Sequence, residues 1–305
     1  MEMEKVEKLI QSACQNGRID ELKQLLTDSN INPNCQNENG WTPLITACFY
    51  GHIEIVEFLL TYTMVEISQP NNYGETPFYI ACREGHIDVV KVLLNETKID
   101  INKVDSFGET PFYYACHNGH IEIVKVLLED KRVETNKATN FGETPFYIAC
   151  SNGHLNVVKL LLKSMRVEVN QPDIIGITPL LIACGNGHID VVKELLKDKR
   201  IEVNQANHYG WTPFYSVCGD GYIEAVKFIL ASERDINLTT KSRDGNTAID
   251  NARKNGETEI VELLESFEKD PIGIRRKLRV QLGLSGKLFY FILFYFILFY
   301  FILFY

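Results

Sequence analysis

The sequence predicts an all-α repeat solenoid, in which short helix pairs stack on one another and hairpin-like fingers join them. Two series of glycines and one of cysteines predict it, because each recurs with a period of 34 residues. The first glycine series is followed two residues later by Thr-Pro, and it comprises Gly40, Gly74, Gly108, Gly142, Gly176 and Gly210. The second series runs from Gly17 to Gly221, and the cysteines run from Cys14 to Cys218. A fixed period of this length is typical of stacked supersecondary units.

Residues 74–100 show why one unit forms two helices. Thr76 and Pro77 predict a helix start, because a threonine hydroxyl accepts a hydrogen bond from a free N–H and proline suits the first helical position. Gly85 predicts the end of that helix, where a left-handed residue is needed, and a second helix is expected from about His86. Apolar residues at helical spacing form the buried faces, and they are Phe78, Ala81, Cys82, Ile87, Val90, Leu93 and Leu94.

The combined pattern Gly-x-Thr-Pro-Leu/Phe, Ala-Cys, Gly-His and an Ile/Val-Leu-Leu helix resembles the ankyrin repeat. The resemblance covers about residues 1–267 and implies ankyrin-type helix-turn-helix units with a finger between successive pairs. The unit here is one residue longer than is usual in that family. In four units the family's Thr-Pro-Leu-His is Thr-Pro-Phe-Tyr, so a tyrosine hydroxyl is the candidate replacement for the histidine's hydrogen bonds. These tyrosines are Tyr79, Tyr113, Tyr147 and Tyr215.

The chain is predicted to divide into three parts. Residues 1–268 form a repeat array of about eight units, of which the two terminal ones are richer in charge. A terminal unit has only one neighbour, so it needs a polar outer face. Residues 269–287 are predicted to be a basic linker, and residues 288–305 are an apolar, low-complexity tail.

The charge of the chain is unevenly distributed. The formal net charge is −9, and residues 271–305 hold five basic residues and no acidic one, so residues 1–270 carry −14. An acidic body repels phosphate backbones, and therefore nucleic acid is not expected as a partner. The first ten residues lack the basic and apolar segments of a secretory signal, so a cytoplasmic location is expected.

No residue pattern predicts a catalytic site, a metal site or a cofactor. Five units contain Cys-x-x-x-His, as at Cys82 and His86, a spacing that could hold zinc on a continuous helix. The glycine between the two residues ends the helix, so we expect the cysteine in the core and the histidine in a turn. The 34-spaced cysteines are expected to be small buried apolar residues, because copies in successive units lie too far apart for a disulfide.

The resemblance implies that a protein partner binds on a concave side formed by the finger tips and first helices. The candidate partner-binding residues flank the finger glycines or follow the Ala-Cys pair, and they are Trp41, Phe49, Tyr50, Tyr73, Glu75, Phe107, Glu109, Phe141, Glu143, Ile175, Tyr209 and Trp211. Aromatic side chains dominate the energetics of many interfaces. The alternative is that duplication copied one packing residue into every unit. This alternative applies least to Trp41, Phe49, Tyr50 and Trp211, which differ from the middle copies.

Two explanations of the tail stay open. As a helix, residues 288–305 would span about 27 Å, near the thickness of a bilayer core, with the basic residues before them on the cytosolic side. The perfect five-residue period instead indicates a translated tandem repeat. The sequence thus predicts a non-catalytic adaptor that binds a protein partner. The alternatives are a membrane adaptor anchored by its tail and the regulatory array of a larger enzyme or channel.

Overall fold

The computed structural model describes residues 2–27 and 31–284. Over these residues the chain forms helices and turns and no β-strand, so the predicted all-α repeat fold is confirmed. The chain divides into two compact units, Met1–Ile174 and Ile175–Tyr305. The predicted apolar tail lies outside the described residues, and its two explanations stay predictions. Within the described ranges, no helix combines the length and the apolar character that crossing a bilayer requires.

The helices alternate between a first and a second helix in each repeat, as the 34-residue period predicts. The first unit contains α1 (Glu2–Gln15), α2 (Ile19–Leu25), α3 (Pro43–Tyr50), α4 (Ile53–Leu60), α5 (Pro77–Glu84), α6 (Ile87–Leu94), α7 (Pro111–His117), α8 (Ile121–Glu129), α9 (Pro145–Ser151) and α10 (Leu155–Leu162). The second unit contains α11 (Pro179–Gly185), α12 (Ile189–Lys197), α13 (Pro213–Gly219), α14 (Ile223–Ala231), α15 (Ala248–Asn255), α16 (Thr258–Lys269) and α17 (Pro271–Gln281).

The first helices begin where the Thr-Pro signal predicts. Before α3, α5, α7 and α9, a threonine hydroxyl accepts a hydrogen bond from the backbone N–H three residues later, at 3.0–3.2 Å. Proline occupies the first turn of each of these helices. Gly51 and Gly85 end α3 and α5 with φ angles of +73° and +86°. Because glycine adopts such angles without steric cost, the chain reverses into the second helix at the same point in each repeat.

In the first unit, each first helix packs against the first helix of the next repeat, from α1 to α9. The second helices α4, α6, α8 and α10 form another row behind them. Alanine and cysteine from the first helix meet branched side chains from the second, and Ala81, Cys82, Val90 and Leu93 are fully buried. Each helix pair therefore buries apolar side chains against the neighbouring pairs as well as between its own two helices.

Successive repeats of the first unit are joined by a histidine that lies over the glycine of the preceding repeat. The Nε2 atom of His120 lies 2.8 Å from the Arg83 carbonyl oxygen, and because a carbonyl can only accept, this nitrogen is the donor. A Cβ on Gly85 would lie 2.7 Å from the His120 ring. The same arrangement joins His52 to Gln15, His86 to Phe49 and His154 to His117.

In the second unit, α11, α13 and α15 pack in succession, with α12, α14 and α16 behind them. Residues 271–281 of the predicted basic linker form helix α17, which packs against α14 and α16. Asp270 begins α17 by accepting a hydrogen bond from Gly273 N–H at 2.9 Å, and Leu278 is buried. This segment therefore belongs to the folded unit, although its composition is basic.

Two arginines of α17 cap the end of another helix. Arg275 Nε donates to the Leu230 carbonyl at 3.1 Å, and Arg279 Nη1 donates to the Ala231 carbonyl at 3.3 Å, where α14 ends. The last carbonyls of a helix have no partner within it and carry partial negative charge, so a guanidinium there is stabilising. Arg275 and Arg279 thus stabilise the end of α14.

All eight cysteines are buried with free thiols. Burial raises the pKa of the Cys14 thiol to about 12 and that of Cys35 to about 11, and it raises the pKa of the other thiols as well. Only a thiolate reacts readily with a disulfide reagent. The cysteines therefore act as small apolar core residues.

We predict that the thiols react with Ellman's reagent much more slowly in the native protein than after unfolding. Denaturant should expose all eight to reaction without a reducing agent, because none is in a disulfide. Rapid reaction of several thiols before unfolding would show that the helix pairs are not stacked as described.

The histidine–glycine contact leads to a prediction about the free energy of unfolding. Gly85→Ala places a Cβ at a left-handed position and against the His120 ring, whereas Gly256→Ala meets no atom within 4 Å at a similar φ of +80°. The control should lose about 1–2 kcal/mol of unfolding free energy from the backbone alone. Gly85→Ala should lose more, as measured by urea unfolding. Equal losses would mean that the contact between repeats contributes little.

Candidate functional site

Each finger is a tight turn held by a polar side chain at its base. Asn71 Oδ1 accepts hydrogen bonds from the N–H groups of Tyr73 and Glu75 at 2.9 and 3.0 Å. The Asn71 N–H donates to the Glu75 carbonyl at 2.9 Å, and Gly74 supplies a φ of +85°. Asp105 holds the next finger in the same way. The polar groups of the turn are therefore satisfied without any help from the side chain at its tip.

Successive fingers are joined by backbone hydrogen bonds. In the first unit these bonds measure 3.0–3.1 Å and run from Asn72 N to Asn39 O, from Ser106 N to Tyr73 O, from Asn140 N to Phe107 O and from Ile174 N to Phe141 O. In the second unit they run from His208 N to Ile175 O and from Arg243 N to Tyr209 O. A Cβ on Gly74 would lie 3.1 Å from Asp105 Cα, so glycine permits this close approach.

The residues before the finger glycines are exposed. In the first unit Tyr73, Phe107 and Phe141, which we call the tip residues, expose 56, 56 and 55% of their surface. In the second unit Ile175 and Tyr209 occupy the same position in their fingers and are also exposed. Because neighbouring fingers of the first unit are hydrogen-bonded to each other, its tip residues form a row of aromatic rings.

The glutamates after the finger glycines have different surroundings, although they share one position in the repeat. Glu75 is buried, forms an ion pair with Arg83 and accepts a 2.6 Å hydrogen bond from Asn71 Nδ2. Glu109 and Glu143 are half-buried. Glu143 accepts a 2.9 Å hydrogen bond from the Tyr113 hydroxyl. Glu75 thus stabilises its own repeat, whereas Glu109 and Glu143 keep part of their surface in solvent.

The replacement tyrosines bind carboxylates that the sequence did not predict as their partners. In the first unit, the Tyr79 hydroxyl donates to Asp105 at 3.0 Å, and the Tyr147 hydroxyl donates to Asp173 at 3.2 Å. Burial and these carboxylates raise the pKa of both tyrosines, so the hydroxyls stay protonated donors. In the sequence, an acidic residue lies 26 positions after Tyr79 and after Tyr147, in the following finger, and this spacing could have indicated the pairing. Tyr113 uses Glu143, 30 positions on.

The arrangement of capped helix pairs, glycine turns and linked fingers matches a known family. The family model described as ankyrin repeats (3 copies) matches residues 10–105, 97–173 and 165–240. The chain belongs to the ankyrin repeat family. Ankyrin repeats generally mediate protein–protein interaction, and proteins built from them are typically non-catalytic scaffolds. A search of the curated proteins finds no match to the chain.

The remaining predicted site residues form one aromatic cluster in each unit of this ankyrin array. In the first unit, the Phe49 ring lies 4.9 Å from both Trp41 and Tyr50, and 42% of Tyr50 is exposed. In the second unit, Trp211 lies 5.7 Å from Tyr209 and 6.0 Å from Tyr215. Unlike the tip residues, these rings pack on one another as well as contacting solvent.

The Cys-x-x-x-His pairs of the ankyrin repeats are separated as the sequence predicts. Cys82 is fully buried, whereas His86 donates to the Phe49 carbonyl of the preceding repeat at 2.9 Å. Over residues 2–27 and 31–284, no group of three or more His, Cys, Asp or Glu side chains is placed to hold a metal ion.

The ionised form of the Glu109 carboxyl group is electrostatically unfavourable in the folded chain. Burial and then the negative charge of Asp105 raise its pKa from 4.5 to about 7. The charge of Glu143 is a smaller cause of the same rise in pKa, and a hydrogen bond with Tyr114 opposes the rise. A proton is therefore held more tightly in the folded chain than in the unfolded one. The resulting penalty to stability is absent below about pH 4.5, grows as the pH rises and is complete above about pH 7.

We predict that Glu109→Gln raises the melting temperature more at about pH 8 than at about pH 5, because glutamine removes a charge that is present only at the higher pH. Glu122→Gln makes the same charge change on the exposed side of α8 and serves as the control. Thermal unfolding followed by circular dichroism measures both. A rise of equal size in the control would assign the effect to net charge rather than to the pair with Asp105.

Proposed function

We propose that the chain is a non-catalytic adaptor that holds a protein partner on its finger surface, meaning the tip residues together with Glu109 and Glu143. The observation that carries the proposal is the exposure of Tyr73, Phe107 and Phe141 on turns whose hydrogen bonds are already complete. Large aromatic side chains contribute much of the binding energy at protein interfaces. A row of them, held by linked fingers, costs little conformational entropy to bind.

The exposure of the tip residues argues against the packing alternative. A residue copied only for packing would be buried against the next repeat, as Phe78 and Phe112 are. The aromatic clusters around Trp41 and Trp211 are proposed as further contact sites, because Tyr50, Tyr209 and Trp211 are 42, 47 and 44% exposed. Glu75 receives no role in partner binding, since its carboxylate is buried beside Arg83.

The proposal is tested by placing the photoreactive residue p-benzoylphenylalanine at position 107, where it extends an exposed phenylalanine. The full chain should then crosslink to a discrete partner in extracts of the source cells. The same residue at position 165 replaces a methionine that is 84% exposed after α10 and serves as the control. A protein crosslinked from position 107 alone supports binding at the finger surface. Equal crosslinking from both positions, or none from position 107, would refute it.

Substitution of the tip residues tests the same function on any partner so identified. Phe107→Ala combined with Phe141→Ala should weaken binding by about 2 kcal/mol and leave the helical circular dichroism unchanged. Unfolding of the double variant would instead show that these rings stabilise the fingers. Trp211→Ala, measured alongside, asks whether the second unit also contacts the partner.

A further inference from the structure

The finger surface is negatively charged with few cations to balance it. The first helices α3, α5, α7 and α9 contain one lysine or arginine between them, Arg83, and the fingers add Lys103 and Lys137, of which Lys137 pairs with Glu134. The Arg83 guanidinium is already paired with Glu75 and Glu84. Within the part of the chain that the structure describes, neither Glu109 nor Glu143 forms an ion pair. Charge complementarity therefore favours a positively charged binding partner.

The same imbalance extends toward the first repeat. A groove of about 510 Å³ lies between α1 and the first finger, and its charged lining residues are three glutamates, Glu4, Glu7 and Glu38, and one lysine, Lys8, which pairs with Glu4. Two of the second helices, α6 and α8, carry a lysine near their exposed acids, whereas α4 carries Glu54 and Glu57 and no cation. Asp88 on α6 pairs with Lys91 at 3.7 Å, and α8 carries Lys125 beside its acidic residues. What distinguishes the finger side of the first unit is that exposed aromatic rings lie there beside its carboxylates.

Aromatic rings and carboxylates alternate on this surface. Glu109 follows Phe107 after one glycine, and Glu143 follows Phe141 in the same way. The face of an aromatic ring attracts a cation, and a carboxylate forms charge-assisted hydrogen bonds with one. A guanidinium or ammonium group can make both kinds of contact at once. An acidic side chain is repelled by the carboxylates and is not attracted to the ring faces.

We propose that the finger surface of the first unit binds an extended segment of a protein partner that presents lysine or arginine side chains to successive fingers. This inference rests on the proposed function and adds the chemistry of the partner to it. The segment is extended because the fingers are joined one to the next, so that Tyr73 offers a ring and the next two fingers each offer one ring and one carboxylate. A folded globular face would reach fewer of these repeating sites.

The proposal is tested by selecting a random peptide library, displayed on phage, on the full chain. Recovered peptides should be enriched in Lys and Arg and depleted in Asp and Glu. They should lose binding to the Phe107→Ala/Phe141→Ala variant. Peptides that depend on the aromatic rings but are neutral or acidic would overturn this inference and leave the proposed function standing. If no recovered peptide depends on the rings, both fail.

A defined probe measures the charge requirement directly. A fluorescein-labelled peptide of repeated Arg-Gly-Ser should bind the full chain, and binding should weaken about tenfold in Glu109→Gln/Glu143→Gln. Glutamine keeps the oxygen that accepts from Tyr113, so the local hydrogen bond survives. Glu122→Gln/Glu129→Gln removes the same charge from exposed positions on α8 and should retain the affinity. Equal loss in the two double variants would show nonspecific attraction and overturn the proposal.

The pH dependence of peptide binding distinguishes direct contact with Glu109 from a purely structural role of this residue. A bound cation favours the ionised form of Glu109, whose pKa is raised to about 7 by burial and by the negative charge of Asp105. Affinity for the Arg-Gly-Ser peptide should therefore increase between about pH 6 and pH 8, and Glu109→Gln should remove the increase.

A second copy of the chain is the competing occupant of the finger surface. Concentration-dependent dimers that Phe107→Ala disrupts, and that the peptide does not dissociate, would overturn the proposal.

Discussion

The stacking of the first unit depends on one contact, the histidine ring that lies over a glycine of the preceding repeat. His86, His120 and His154 donate to backbone carbonyls of the preceding repeat at 2.7–2.9 Å, and the glycine below each ring has no Cβ to displace it. The same glycine supplies the positive φ that reverses the chain between helices. Two requirements therefore meet at one residue, a left-handed backbone and room for a neighbour's side chain. At the same spacing between repeats, the backbone N–H groups of each finger reach the carbonyls of the preceding finger.

The second unit keeps the glycine but changes the group that covers it. Tyr222 lies over Gly187 and makes only a 3.5 Å contact with the Gly185 carbonyl, and Glu257 lies over Gly221. Helix α17 adds support near this end, because its Arg275 and Arg279 donate hydrogen bonds to the last carbonyls of α14. The space above the glycine thus accepts different polar side chains. The backbone geometry, rather than the imidazole itself, is the feature that both units share.

Replacing the family's usual histidine with tyrosine has a consequence for the charge of the first unit. Each tyrosine hydroxyl is an added donor, and it holds an acidic side chain in the next finger. Carboxylates are thereby concentrated on one side of the unit, where burial and the charge of Asp105 make the ionised form of Glu109 unfavourable. A local electrostatic cost that the fold tolerates is often associated with a binding function. Here the cost falls beside exposed aromatic rings.

Sequence alone determined the helix pairs, because their signals lie within a few residues of one another. Thr76, Pro77 and Gly85 set the start and end of α5 through local hydrogen bonds and backbone angles. The same local rules would have predicted α17, since Asp270-Pro271 is a helix start, but its basic composition indicated a linker instead. The positions of Tyr73, Phe107 and Phe141 at the finger tips also followed from the period.

Tertiary structure alone decided which of the equivalent glutamates is available to a partner. Glu75, Glu109 and Glu143 occupy the same place in the repeat, yet only Glu75 meets an arginine eight residues later, where the next repeats have His117 and Ser151. The tyrosine–carboxylate bonds likewise join residues 26 or 30 positions apart in different repeats. Burial and electrostatic surroundings depend on these distant neighbours, and the period specifies only that equivalent positions recur, not what lies against each of them.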